Sequence, residues 1–160
     1  MIHITTYQPE YEGDFIRLNK QWIETYFRLE PSDLETFSHV KDIIKDGGQI
    51  FFALTDDNNV VGCCALKHHV QDNTYELAKM AVSPQFQGLH IGHELAHALL
   101  DYAKQHGVNR IFLEGNTLLE ASIALYRSVG FKEKPLQGNA YERCDILMEW
   151  TDDMDDIKSD

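Results

Sequence analysis

The stretch from Met80 to Gly92, Met-Ala-Val-Ser-Pro-Gln-Phe-Gln-Gly-Leu-His-Ile-Gly, constrains this chain more than any other. An apolar run with strand character stops at Ser83-Pro84, a turn follows, and a loop bearing Gly88 and Gly92 opens directly into a helical repeat. A strand that feeds a glycine loop and then a helix N-terminus is the local geometry for holding phosphate. The first helical turn has unpaired N–H groups and the positive end of the helix dipole, and both favour an anion. A side chain at Gly88 or Gly92 is expected to keep the backbone from approaching such a ligand. The alternative is an ordinary strand-to-helix connection.

The rest of the chain can be read around that loop. Ile2 to Tyr7 alternates as a strand, and Phe15, Leu18, Trp22, Ile23 and Tyr26 fall on one helical face at spacings of three and four. Pro31 interrupts, and Ser32-Asp33-Leu34-Glu35 reads as a capping box opening a helix that runs to Lys45 and stops at Gly47-Gly48. Three strands are then expected, over Gln49–Leu54, Val60–Val70 and Thr74–Val82, joined by turns at Asp56-Asp57-Asn58-Asn59 and Asp72-Asn73. Cys63 and Cys64 point to opposite faces of their strand, so at most one is expected to face a core.

After the glycine loop, Ile91, Leu95, Leu99 and Tyr102 form the stripe of a main helix ending near Gly107. A strand from Arg110 to Leu113 and a helix from Glu120 to Ser128 follow, and Gly130 ends that helix. Two last strands, Phe131–Lys134 and Tyr141–Trp150, are expected across a Gly138-Asn139 turn. The order is that of one mixed α/β (α+β) domain over residues 1–150, a central twisted sheet flanked by helices, followed by an acidic tail over 151–160.

Three of these segments together resemble the GNAT superfamily of acyl-CoA N-acyltransferases. Gln87-Gly88-Leu89-His90-Ile91-Gly92 is similar to its pyrophosphate loop, Gln or Arg, two residues, Gly, any residue, Gly or Ala, with His90 in place of the middle Gly. Glu76 to Val82 looks like its fourth strand. Asn116 and the segment Ala121 to Phe131 look like the end of its fifth strand and the helix that closes on Gly130-Phe131. The resemblance implies the GNAT fold and acetyl-CoA as donor, with an amine as acceptor, either a small molecule or a peptide. It also implies direct transfer in a ternary complex, no metal, and in many relatives a homodimer.

Site residues follow from the same resemblance. Backbone groups of Met80, Ala81 and Val82 would meet the pantetheine arm, with the Val82 amide as oxyanion donor. Gln87, Gly88, Leu89, His90, Ile91, Gly92 and His93 would hold the pyrophosphate, and Asn116 would contact the arm. Glu76 stands six residues before Val82, where the histone-acetylating branch carries its glutamate, and is the implied base; Glu114 is the reserve. Tyr126 matches the tyrosine that protonates the departing thiolate. Tyr26, Phe27 and Arg28, at the end of the first helix, are candidates for acceptor contact along with Glu114.

Composition adds bounds. The 160 residues, 43% of them apolar, suffice for one core, and no window reaches the ~20 apolar residues of a membrane span. The opening Met-Ile-His-Ile-Thr-Thr lacks the basic region and apolar segment of a signal peptide, and three cysteines make no disulfide framework, so a cytoplasmic protein is expected. Fourteen basic against 26 acidic residues give a net charge of −12, which argues against nucleic acid and leans toward cationic acceptors. A competing motif is His93-Glu94-Leu95-Ala96-His97, which satisfies the zinc-peptidase pattern His-Glu-x-x-His. Its place immediately after the glycine loop speaks against a zinc hydrolase. A further alternative is an acyl-CoA-binding module without catalysis.

Overall fold

A computed structural model describes residues 1–136 and 143–152. Among them, β1 (His3–Thr6), β2 (Gln49–Leu54), β3 (Val60–His69), β4 (Thr74–Val82), β5 (Arg110–Gly115), β6 (Lys132–Lys134) and β7 (Ile146–Thr151) form one sheet in the order β1-β2-β3-β4-β5-β7-β6. Five helices cover it: α1 (Glu12–Tyr26), α2 (Pro31–Ser38), α3 (Val40–Lys45), α4 (Ile91–Gln105) and α5 (Glu120–Ser128). Every adjacent strand pair is antiparallel except β4 and β5. The expected turn residues do what their chemistry allows. Asn58 and Asn73 adopt left-handed φ values of 65° and 55°, which Asn tolerates better than most residues.

Both sheet faces are covered, which decides the fate of the adjacent cysteines. Phe15, Leu18 and Ile23 of α1 with Phe37 and Ile43 pack on one face, against Ile50, Phe52, Cys63 and Ala65. Leu95, Leu99 and Ala103 of α4 pack on the other, against Phe51, Cys64, Leu66 and Leu113. Alternate residues of each central strand thus enter different cores. Cys63 and Cys64 are both fully buried, each in its own core, whereas at most one was expected to face a core. A strand sandwiched between two helical layers has no solvent parity.

Other expectations are corrected at element ends. The segment read as one helix to Lys45 is two, because His39 (φ −136°, ψ 42°) leaves helical space between α2 and α3. The capping pair is Glu30 and Asp33, not Ser32 and Glu35: Pro31 takes the first helical position, and the Asp33 carboxylate accepts the Glu30 N–H at 2.8 Å. β7 begins at Ile146 rather than Tyr141. The Gly138-Asn139 turn and residues 153–160 of the acidic tail lie outside the described residues. No helix among those described is long and apolar enough to cross a membrane.

Gly48 shows how closely α3 docks on the sheet. A Cβ built there would lie 2.1 Å from the Leu66 carbonyl oxygen and 2.9 Å from that of Ile43, both backbone. Gly48→Ala is expected to cost about 3 kcal/mol in urea unfolding, since neither carbonyl can move without its strand or helix. Gly13→Ala, with nothing within 4 Å of its Cβ, is the control and should leave stability level or slightly raised.

Two irregularities in β4 position the site. Against β3, Cys63 pairs with Ala81 but Ala65 with Ala78, so two steps on β3 span three on β4. The extra residue is a β-bulge, and Lys79 within it has φ +57°. Against β5, the one ladder pair is Glu76 with Phe112. Beyond it the two parallel strands diverge, and a cavity opens in the gap.

Candidate active site

The cavity, of about 540 Å³, passes between the separated ends of β4 and β5 and joins the two faces of the sheet. On the α4–α5 face its wall includes Gly88, His90, Gly92, His93 and Tyr126. On the α1 face it includes Asn19, Trp22, Tyr26 and Phe27, with Glu76, Lys79 and Arg143 near the crossing.

The loop from Pro84 to His90 is folded by its own sequence. Gln87 Nε2 donates to the Val82 carbonyl at 3.1 Å, and Gly88 takes φ +81°. His90 takes φ +62° immediately before α4, and histidine is one of the few side chains enriched in that region. Replacing the middle Gly with His90 therefore leaves the turn intact and keeps its N–H. The first intrahelical bond of the entry runs from Glu94 N to His90 O, at 3.1 Å, so the amides of Ile91, Gly92 and His93 precede the helical ladder.

Gly92 also sits under α5: a Cβ there would meet the side-chain end of Leu125, Cδ1, at 2.7 Å, which that side chain must shift to accommodate. Leu89 is 60% exposed and does not line the cavity.

The edge of β4 offers a donor to the same space. Ser83 N–H bonds back to the Val61 carbonyl at 2.8 Å. In an extended strand the preceding amide turns to the opposite edge, so the Val82 N–H is aimed at the gap where β5 has diverged. Met80, Ala81 and Val82 all line the cavity.

Tyr126 comes from α5 and packs edge-on against Phe131, with centroids 6.0 Å apart. Burial, with a smaller contribution from nearby Cys64, raises its pKa well above that of an ordinary phenol, so it keeps its proton throughout the neutral range. Asn116 lines the cavity too, but its amide ties the loop after β5 to the segment before β7. Its Nδ2 donates to the Arg143 carbonyl at 2.5 Å, and its Oδ1 accepts the Leu118 N–H at 2.8 Å.

On the α1 face the polar groups converge. Glu76, 7% exposed, pairs with His69 Nε2 at 2.8 Å and lines the cavity. Glu114 lines it as well, and Tyr26 and Phe27 form part of the far wall. Arg28 is exposed and is not part of the wall.

Beside Glu76 lies a cluster the sequence did not reveal. Asp33 is fully buried and receives Lys79 Nζ at 2.6 Å and both Arg143 amino groups, at 2.7 and 2.9 Å. Arg143 also reaches Glu30 Oε2 at 2.9 Å. Burial by itself raises the Asp33 pKa, but hydrogen bonds from Arg143 and Lys79 and the Lys79 charge outweigh it and hold the carboxyl down at about 2. Burial pulls Lys79 below its ordinary value, and Asp33 opposes this. The signal available in the sequence was only an acidic residue near a helix start; partners 46 and 110 residues away leave no local trace.

The two histidines of the zinc-peptidase pattern, one turn apart on α4, have different surroundings. His93 Nε2 is 3.0 Å from Ser128 Oγ on α5, whereas His97 is exposed on α4. Among the described residues no three His, Cys, Asp or Glu side chains converge as a metal site would require.

An open mixed sheet with a bulged β4, a gap beside β5 and a glycine loop entering α4 is the arrangement expected of the GNAT fold. Residues 15–131 match the Acetyltransferase (GNAT) family, and the chain belongs to it. It is similar to N-acetylaspartate synthetase of Mus musculus, 31% identical over 111 residues, which are 69% of this chain and 36% of that protein. The chain thus spans little more than a third of that relative's length.

In structure it is similar to an acetyltransferase of the GNAT family from Staphylococcus aureus. That match has a TM-score of 0.82 and 19% identity, covering 94% of this chain and 99% of that one. It is also similar to a phosphinothricin acetyltransferase from Sinorhizobium meliloti in complex with acetyl-CoA, with a TM-score of 0.76 and 18% identity. There the coverage is 94% of this chain and 88% of that one.

Proposed function

We propose that this chain transfers an acetyl group from acetyl-CoA to a primary amine, of a small molecule or a peptide, within a ternary complex. The observation that carries the reading is the cavity through the sheet, with a helix-entry loop at one mouth and Glu76 near the other. The amides of Ile91, Gly92 and His93 with the Gly88 turn suit the pyrophosphate. Gln87 and His90 flank it, and the gap between β4 and β5 suits a slender pantetheine arm along Met80 to Val82.

The residues then divide the chemistry. An alkyl ammonium has a pKa of about 10.4, so freeing its lone pair at pH 7 costs on the order of 4–5 kcal/mol. Glu76 accepts that proton, directly or through one water. The amine nitrogen bonds to the thioester carbon, and the Val82 N–H stabilises the negative charge that collects on its oxygen. As the carbon–sulfur bond breaks, Tyr126 supplies a proton to sulfur, and the second proton that the nitrogen must lose to become an amide restores the phenol through solvent. Trp22, Tyr26, Phe27 and Glu114 border the acceptor. Lys79 and Arg143 are matched there by Glu30 and Asp33, so the cluster has no net preference for either charge of acceptor.

The test is thermal unfolding with acetyl-CoA, followed by an amine panel of aspartate, lysine, spermidine and an alanyl tripeptide. Acetyl-CoA at 100 times its Kd should add about 2.7 kcal/mol, a rise of a few degrees for a domain of this size. Release of free thiol with one of the amines completes the case. A rise in Tm without turnover of any amine would identify an acyl-CoA-binding module instead. No rise, with a fall on adding a zinc chelator, would return attention to His93 and His97.

A further inference from the structure

The reading of Glu76 as the base leaves its hydrogen-bond partner without a role. His69 Nε2 lies 2.8 Å from Glu76 Oε1; the imidazole is 39% exposed and the carboxylate side chain 9%. An ionised carboxylate only accepts, so the nitrogen facing it carries the hydrogen. The ring is fixed from another side by Phe112, with centroids 5.7 Å apart and planes 30° from parallel. Phe112 is itself the β5 residue paired with Glu76. The imidazole is thus clamped between the strand that carries the carboxylate and the strand that borders the gap.

Glu76 needs such a clamp because a competitor is close. Its cross-strand partner on β3 is Lys67, on the same sheet face, whereas His69 pairs with Thr74 and reaches Glu76 diagonally. A glutamate with three free torsions beside a lysine would divide its time between the cavity and that ammonium. The bond from His69 occupies Oε1 and leaves the other oxygen to the acceptor.

We propose that His69 is a positioning residue for the transfer, holding the Glu76 carboxylate toward the acceptor; this rests on the reading of Glu76 as the base. The imidazole takes no proton from the acceptor and touches none of the reacting atoms. Its contribution is orientation, which acts on kcat and leaves acetyl-CoA binding on the opposite sheet face alone.

Steady-state kinetics with acetyl-CoA and the fastest acceptor among aspartate, lysine, spermidine and the alanyl tripeptide tests this. His69→Ala should lower kcat about 10-fold with an unchanged KM for acetyl-CoA and an unchanged unfolding midpoint. His69→Gln, whose amide can donate to the same oxygen, should recover most of the loss. In Glu76→Gln the further change His69→Ala should have no added effect.

Wild-type kcat in His69→Ala, no rescue by glutamine, or a full additional loss in the double variant would overturn the proposal. Wild-type kcat in Glu76→Gln would instead overturn the base assignment, and His69 with it. Turnover of none of the four amines would overturn both together with the transferase reading.

Discussion

Asp33→Ala should lower unfolding stability by about 3–5 kcal/mol, more than any substitution on the surface of this domain. The carboxylate is fully buried and is the common acceptor for Lys79 and Arg143. Removing it takes from Lys79 its ion pair at 2.6 Å and from Arg143 one of two carboxylates, in a site where burial already pulls Lys79 below its normal pKa. Asp33→Asn keeps the shape but not the charge and should be intermediate. Equilibrium urea denaturation of the three proteins at pH 7 reads this directly. A loss under 1 kcal/mol in Asp33→Ala would mean that Glu30 alone satisfies Arg143.

The same group fixes a pH dependence. Its folded pKa, about 2, lies below the unfolded value of about 3.9. The folded state therefore binds the proton less readily, and Asp33 contributes its full stabilisation above about pH 5. That contribution, at most about 2.6 kcal/mol, should be lost progressively as pH falls from about 5 to about 1, and in Asp33→Asn the corresponding acid limb should flatten.

Glu76→Gln should lower kcat by about 10²-fold with little change in the KM for acetyl-CoA, because the amide retains the shape but cannot take a proton. Tyr126→Phe should also lower kcat. The raised pKa of Tyr126 sets the sign of its pH effect: the phenol is the proton donor, so rate is lost only where it ionises, above the ordinary phenol range near pH 10. Stopped-flow acetyl transfer across pH 6–10 reads the loss in both variants, and over that range the wild type should show no alkaline fall from Tyr126. A wild-type rate in Tyr126→Phe would show that water protonates the thiolate.

A great deal of this protein is local and was therefore legible in its sequence. The helix stripes of α1 and α4, the Asn-bearing turns and the run from β4 through the glycine loop into α4 depend on residues a few positions apart. Backbone preference and side-chain period act over that distance. The resemblance carried by Gln87 to Gly92, Glu76 to Val82 and Asn116 to Phe131 added the family, and the match over residues 15–131 bears it out. The placing of Cys63 and Cys64 in two separate cores, the division of α2 from α3 and the helix start at Pro31 were not legible, since covering helices and end contacts decide them.

What only tertiary structure decided is how the parts meet. The bulge at Lys79 and the divergence of β5 from β4 after one pair are properties of strand pairing across the sheet, and no residue type encodes them alone. The close approach to Gly92 is made by Leu125, a residue of another helix. Asp33, Lys79 and Arg143 are scattered along the chain and become one cluster only because α2, β4 and the segment before β7 pack together. Sequence pattern specifies which face of each element is apolar. The long-range juxtaposition of charges behind those faces exists only once the layers have closed on one another, when burial makes their pairing obligatory.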